Sequence, residues 1–189
     1  MHYLKISIVL LFSVFASDGF AQSPADRADT VKTTLDSRGF NVKLGDSVEN
    51  IVFQLDDGST TSLEDLKGKV ILLQFTASWC GVCREEMPII ESELWNEFKE
   101  DGLIVIGVDY DEPLKKIKQF KKQIKVTYPL ALDPDGEIFS KFAGKYSGVT
   151  RNVVIDQNGK IIFLTRLFKR DEFYEMKAVI EQHLSLIHI

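Results

Sequence analysis

"VILLQFTASWCGVCREEMP" occupies residues 70–88 and contains both cysteines of the chain, Cys80 and Cys83, two residues apart. Its opening, "VILLQFTA", is a nearly continuous apolar run, the pattern of a strand buried on both faces. From Met87 onward the apolar positions Met87, Ile90, Leu94 and Phe98 recur at helical spacing until Gly102 closes the helix. Cys80 therefore stands where a buried strand gives way to a helix. There its sulfur faces unpaired backbone N–H groups and the positive end of the helix dipole, a setting that stabilises a thiolate. Cys83, one turn into the helix, is expected to be more buried and to act as the resolving partner in thiol–disulfide exchange.

Working outward, the chain alternates strand-like and helix-like segments. "NIVFQL" and "STTSL" flank "DDG", a hairpin signal with Gly58 at the turn, and "LEDLKGK" reads as a helical turn stopped by Gly68. "LIVIGVD" is a second buried strand. "DEPLKKIKQFKKQI" opens as a helix start and places Leu114, Ile117 and Phe120 on one face. "YPLALD", a short helix around Ile138 to Phe142, and the strands "RNVVID" and "KIIFLTRLF" joined by "QNG" come next. A final helix from Asp171 carries Phe173, Met176 and Ile180 inward. The pattern describes an α/β domain of three layers, a central mixed sheet flanked by helices with an N-terminal β-hairpin extension.

With 189 residues, 44% hydrophobic and 27% charged, the chain suits one globular domain. The expected organisation is a signal peptide (1–21), a mobile segment (22–40), the folded domain (41–183) and a terminal stretch (184–189). The formal charge of −5 supplies no basic footprint for nucleic acid. The Lys115-Lys116 and Lys121-Lys122 pairs, interspersed with apolar residues at helical spacing, read as a solvated helix face. At the N-terminus, Lys5, an apolar run over residues 6–16, and Gly19 and Ala21 flanking Phe20 make a secretory signal with cleavage after Ala21. The run is about half the roughly 20 residues needed to span a bilayer. A soluble, exported, periplasmic protein is expected. "LSLIHI" at 184–189 reads either as a foreign tail, resembling a translated sequencing adapter, or as the natural apolar end of the last helix, whose stripe Leu184 continues. His188 carries no functional argument.

The Cys80/Cys83 pair admits three chemistries. As a structural staple it would close a loop of only four residues, and loop-closure stabilisation grows with loop length. As a metal site it needs two further ligands, and of His2, His183 and His188 only His183 is credible. Catalytic exchange fits the strand-to-helix position. A thiol peroxidase and a thioredoxin-fold binding module such as a metallochaperone are the rival functions. The first expects a threonine three residues before the reactive cysteine, where Ala77 stands.

The segment from Val42 to His183 resembles the TlpA/ResA-type branch of the thioredoxin superfamily, bacterial periplasmic thiol-disulfide oxidoreductases. The resemblance is carried by "LGD" at 44–46, "DG" at 57–58, "LEDLKGKVILLQFTASWCGVCREEMP" at 63–88, "YPLALDPDGEIFSKFA" at 128–143 and "VVIDQNGKI" at 153–161. It implies the thioredoxin fold and a redox cycle with no cofactor beyond the disulfide. It also implies protein thiol and disulfide substrates, more often reduced than oxidised, and electrons from a membrane thiol reductase. Neither it nor the residues fix an oligomeric state. Residue by residue, Trp79 matches the tryptophan that precedes the first cysteine and packs beside the active site, with ordinary core burial as the compatible alternative. Glu86 matches an acidic residue that exchanges protons with the resolving cysteine; otherwise it is a surface glutamate like Glu85. Pro88 matches a helix-kinking proline. Gln74 falls where thioredoxin has a buried aspartate, and an amide cannot accept that proton. Gly81-Val82 replaces Gly-Pro between the cysteines, which leaves the redox potential open. Thr150 takes the place of a cis-proline and is expected within contact of Cys80, with a trans peptide bond. Arg151 reads as a surface ion pair or a contact for acidic substrate.

Overall fold

The computed structural model describes residues 38–187. The signal peptide, most of the 22–40 segment, and His188 lie outside the described residues. Two short strands, β1 (Val52–Gln54) and β2 (Thr60–Ser62), form the antiparallel hairpin read from "DDG". A five-stranded sheet follows, built from β3 (Val70–Thr76), β4 (Leu103–Tyr110), β5 (Leu130–Asp133), β6 (Arg151–Ile155) and β7 (Ile161–Arg166). Its order is β5-β4-β3-β6-β7, with β3 in the middle. The β5-β4-β3 half is parallel and the β3-β6-β7 half antiparallel. All seven residues of β3 are buried, as its unbroken apolar run requires when both faces are covered.

Helix α1 (Gly81–Ile90) continues through a π-helical stretch, Glu91–Trp95, into the last helical residues Asn96–Phe98. Pro88 lies inside α1 and supplies no N–H to the ladder, and the wider turn begins three residues later. The buried Glu91 carboxylate in that turn accepts from Thr127 N at 2.9 Å and Thr127 Oγ1 at 2.7 Å, tying the helix to the segment before β5. Helix α2 (Leu114–Ile124) buries Ile117 and Phe120, whereas Leu114 is exposed, contrary to the one-face expectation, because it sits at the open first turn beyond Pro113. "LEDLKGK" forms hydrogen-bonded turns only, not helix. The short α3 (Glu137–Phe142) and the long α4 (Arg170–Ser185) complete the fold, the latter burying Phe173, Met176, Ile180 and Leu184.

Adjacent residues of β3 divide the core between two layers. Phe75 meets the rings of Phe139 and Phe142 on α3, with centroids 5.6 and 5.3 Å away, while Gln74 points to the opposite face, toward α1. Gly107 in β4 is required by close packing: a Cβ there would come within 2.5 Å of the Leu130 side chain. Packing reaches back to Arg38, which pairs with Glu172, and to Phe40, which bridges Ala143. No helix among the described residues is long and apolar enough to cross a membrane.

Candidate active site

The strand-to-helix junction brings the sequence candidates together. Cys80 is the N-cap of α1, in extended backbone (φ −84°, ψ 110°), and its sulfur accepts from Cys83 N at 3.2 Å. This is the helix-end placement expected from the sequence, with the sulfur on a backbone donor that no helix residue can satisfy. The two cysteines form a disulfide. Cys83 is fully buried, while Cys80 keeps 9% exposure, so Cys80 is the sulfur nearer solvent. Gly81, exposed, and Val82, half-buried, fill the turn between them.

Thr150, at the start of β6, lies across the disulfide. Its Oγ1 is 3.0 Å from Cys80 Sγ and 3.2 Å from Cys83 Sγ, so a hydroxyl contacts both sulfurs where a proline ring would have been apolar. No cis peptide bond occurs among the described residues, and Val149–Thr150 is trans. The Thr150 carbonyl accepts from Leu167 N at 2.8 Å, which fixes this loop to the end of β7.

Beneath the cysteines lies a buried polar cluster. Glu86 is 2% exposed, which removes the reading of a surface glutamate: at three residues past Cys83 it turns inward with Cys83, whereas Glu85 faces solvent. Its carboxylate accepts from Gln74 Nε2 at 2.9 Å and from Asn152 Nδ2 at 2.6 Å. Burial pushes its pKa up to about 7 against the downward pull of these two amides. Gln74 in turn accepts from the Tyr128 hydroxyl at 2.8 Å, and Asn152 donates to Thr165 Oγ1 at 2.8 Å. Asn152, Tyr128 and Thr165 were not anticipated. Asn152 opposes Gln74 in the β3-β6 register and Thr165 in the β6-β7 register, a relation that only strand pairing reveals; a lone Asn inside "RNVVID" was the sole signal.

Trp79, in the turn before the N-cap and outside the sheet, is 60% exposed, which removes the alternative of core burial. One expectation is corrected. Arg151 is fully buried and forms no surface ion pair. It donates to the carbonyls of Arg38, Ser147 and Gly148 and stacks on Phe40, 4.5 Å from the ring centroid. Burial, reinforced by the neighbouring Arg166, lowers its pKa to about 10. Pro88 is on the exposed side of α1.

On the opposite side of the site, Ser78 is held by Glu112, in the loop after β4, through bonds of 2.6 Å from its N–H and 2.8 Å from its hydroxyl. Asp109, fully buried at the end of β4, receives no hydrogen bond at either oxygen and faces the Glu112 carboxylate. Burial first, then the Glu112 carboxylate, raises its pKa to about 8. No group of three or more His, Cys, Asp or Glu able to hold a metal occurs among the described residues. His183 offers its carbonyl to Gln157 beyond β6, at the sheet end away from the cysteines.

A mixed sheet of this order, with a two-cysteine motif capping the helix after its central strand, defines a thioredoxin-fold thiol-disulfide oxidoreductase. Comparison with known proteins agrees. The family description "Redoxin" matches residues 43–180, and the chain belongs to that family, on its ResA/TlpA-type side. The chain is 33% identical over 126 residues to the thiol-disulfide oxidoreductase ResA of Bacillus cereus, covering 67% of this chain and 71% of that protein. Among solved structures, a candidate protein disulfide isomerase from Bacteroides thetaiotaomicron is 47% identical with a TM-score of 0.76, over 78% of this chain and 93% of that one. A candidate thiol:disulfide interchange protein DsbE from Chlorobium tepidum is 25% identical with a TM-score of 0.67, over 76% and 99%.

Proposed function

We propose that the protein is an exported, periplasmic protein-disulfide reductase in which Cys80 attacks and Cys83 resolves. The observation that carries this reading is the Cys80 sulfur at the N-terminus of α1, accepting from Cys83 N, with Cys83 buried behind it. In the reduced protein the Cys80 thiolate attacks a substrate disulfide. One substrate sulfur joins Cys80 and the other leaves as a thiolate that takes up a proton. Cys83 then gives up its proton, attacks Cys80 Sγ, and releases the second substrate thiol; two electrons have passed to the substrate and the Cys80–Cys83 disulfide is formed.

Glu86 is the group assigned to that second step. A carboxyl whose pKa lies at about 7 is matched to taking the Cys83 proton near neutral pH. Gln74 holds Glu86 in place, Thr150 contacts the sulfurs, and the exposed Trp79 stands beside Cys80 where a substrate chain would approach. Gly81, Val82 and Pro88 shape α1. No cofactor beyond the disulfide is assigned. Protein disulfides are the substrates, a reading supported by relatives named as thiol-disulfide oxidoreductases, and a membrane thiol reductase is the proposed electron donor. The test is the reduction potential of the pair, measured by equilibration with thiol buffers. A value near about −230 to −270 mV fits a reductant, and one near about −120 mV would make the protein an oxidant and overturn the direction.

A further inference from the structure

Ser78, two residues before Cys80, is held at each of its polar atoms. Both bonds to Glu112 run from Ser78 as donor, one from the backbone and one from the side chain. The Ser78 carbonyl accepts from Arg84 Nε at 2.9 Å. The two clamping groups come from different elements. Glu112 follows β4 and is fixed in its turn: its side chain is 1% exposed, it pairs with Lys116, and the preceding Asp111 adopts a left-handed conformation (φ 56°) while donating to Asp133 O at 3.0 Å. Arg84 follows Cys83 on α1, and its guanidinium lies 5.0 Å from the centre of the Phe120 ring of α2. Cys80 N donates to Ala77 O at 3.1 Å, so Ser78 is the second residue of the tight turn that swings Cys80 into the cap.

Hydrogen bonds with an ionised partner are shorter and stronger than neutral ones, and here three of them act on one residue. Nothing in the mechanism above uses them. We propose that Glu112 and Arg84 are positioning residues for the exchange reaction: by clamping Ser78 from two sides they hold Cys80 in the N-cap, with its sulfur on Cys83 N–H and the positive end of α1. The inference rests on the reading of Cys80 as the attacking thiolate. Glu112 in particular does so despite its charge, because a carboxylate near the site opposes a thiolate through space.

That opposition gives the test its sign. The thiol pKa of Cys80 is read by pH-dependent alkylation in a Cys83→Ser background, where one thiol reports. Asp109 faces Glu112 and would ionise more easily without it, so the comparison is made with Asp109→Asn in both proteins; removing the Glu112 charge by Glu112→Gln, and thereby freeing the Lys116 ammonium, would then by electrostatics alone lower the thiol pKa. Loss of positioning raises it. The expected result is a rise of about half a pKa unit or more, the scale of a helix-end interaction. Ser78→Ala keeps the charge and the backbone bond and should give a smaller rise. Arg84→Lys keeps the positive charge but loses the Nε bond, and should also give a rise. A Glu112→Gln protein whose thiol pKa falls or stays put overturns the clamp. If Glu112→Gln does not fold, Ser78→Ala and Arg84→Lys decide together, a rise in both supporting the clamp and no change in either overturning it. A parent thiol pKa at or above the ordinary value of about 8.5 would instead sink the attacking-thiolate reading, and the clamp with it.

Discussion

Two buried carboxyls flank the active-site strand, and they are solved differently. Glu86 lies under the cysteines with two amide donors on its oxygens, Gln74 and Asn152. Asp109 lies on the neighbouring strand with no donor on its oxygens, facing a second carboxylate, Glu112, that can accept its proton's hydrogen bond. Both are raised chiefly by burial, to about 7 and about 8. Glu86 is thus a group that can be ionised or neutral near neutral pH, with donors ready for the charged form. Asp109 has nothing to receive a charge, and is kept neutral. One carboxyl is built to exchange its proton and the other to hold it.

The comparison is broken most directly at Glu86. Glu86→Gln leaves the volume nearly unchanged but removes the ionisable group, and the rate of exchange should fall by about 100-fold, the lower end of the range for a lost general base. Stopped-flow measurement of the resolving step against pH should also lose its inflection near 7 in the variant. An unchanged rate would mean that Glu86 only fills the space under the sulfurs.

Asp109→Asn should do the reverse, with exchange unaffected and stability altered. The folded pKa is above the model-compound value of 3.8, so between about pH 4 and pH 8 the folded state keeps a proton that the unfolded chain has released. Wild-type stability therefore falls as pH rises through that window, and an amide, which never ionises, escapes the loss. Denaturant unfolding should find the variant little changed at pH 4 and more stable by several kcal/mol at pH 8. Equal pH slopes in both proteins would show that Asp109 is ionised in the fold.

How much of this was legible in the sequence follows the range of the interactions. Local signals fixed the elements: the unbroken run 70–76 for a doubly covered strand, the "DDG" turn, and the helical spacing from Met87. The N-cap position of Cys80 was readable for the same reason, since strand end and helix start are adjacent in the chain. Glu86 was left between two readings because its burial depends on α4 and β7 lying over it. Asn152, Tyr128, Thr165 and Glu112 reach the site through strand register and loop return, across separations from 13 to 66 residues among the bonds concerned. Arg151 was misread for the same reason. Its partners are carbonyls of a loop and of Arg38, which no spacing rule marks, and a charged residue is expected to be exposed. For Trp79 apolarity alone left core burial open, and only the turn before the cap, which leaves it outside, removes that alternative.

The most direct test of the central claim is trapping of the mixed disulfide. Reduced Cys83→Ser and Cys80→Ser proteins are each mixed with a disulfide-bonded test protein, and the products are mapped by non-reducing electrophoresis and mass spectrometry. Cys83→Ser should accumulate a covalent complex through Cys80, and Cys80→Ser should form none. Trapping through Cys83, or equally by both variants, would contradict the assignment of Cys80 as the attacking sulfur.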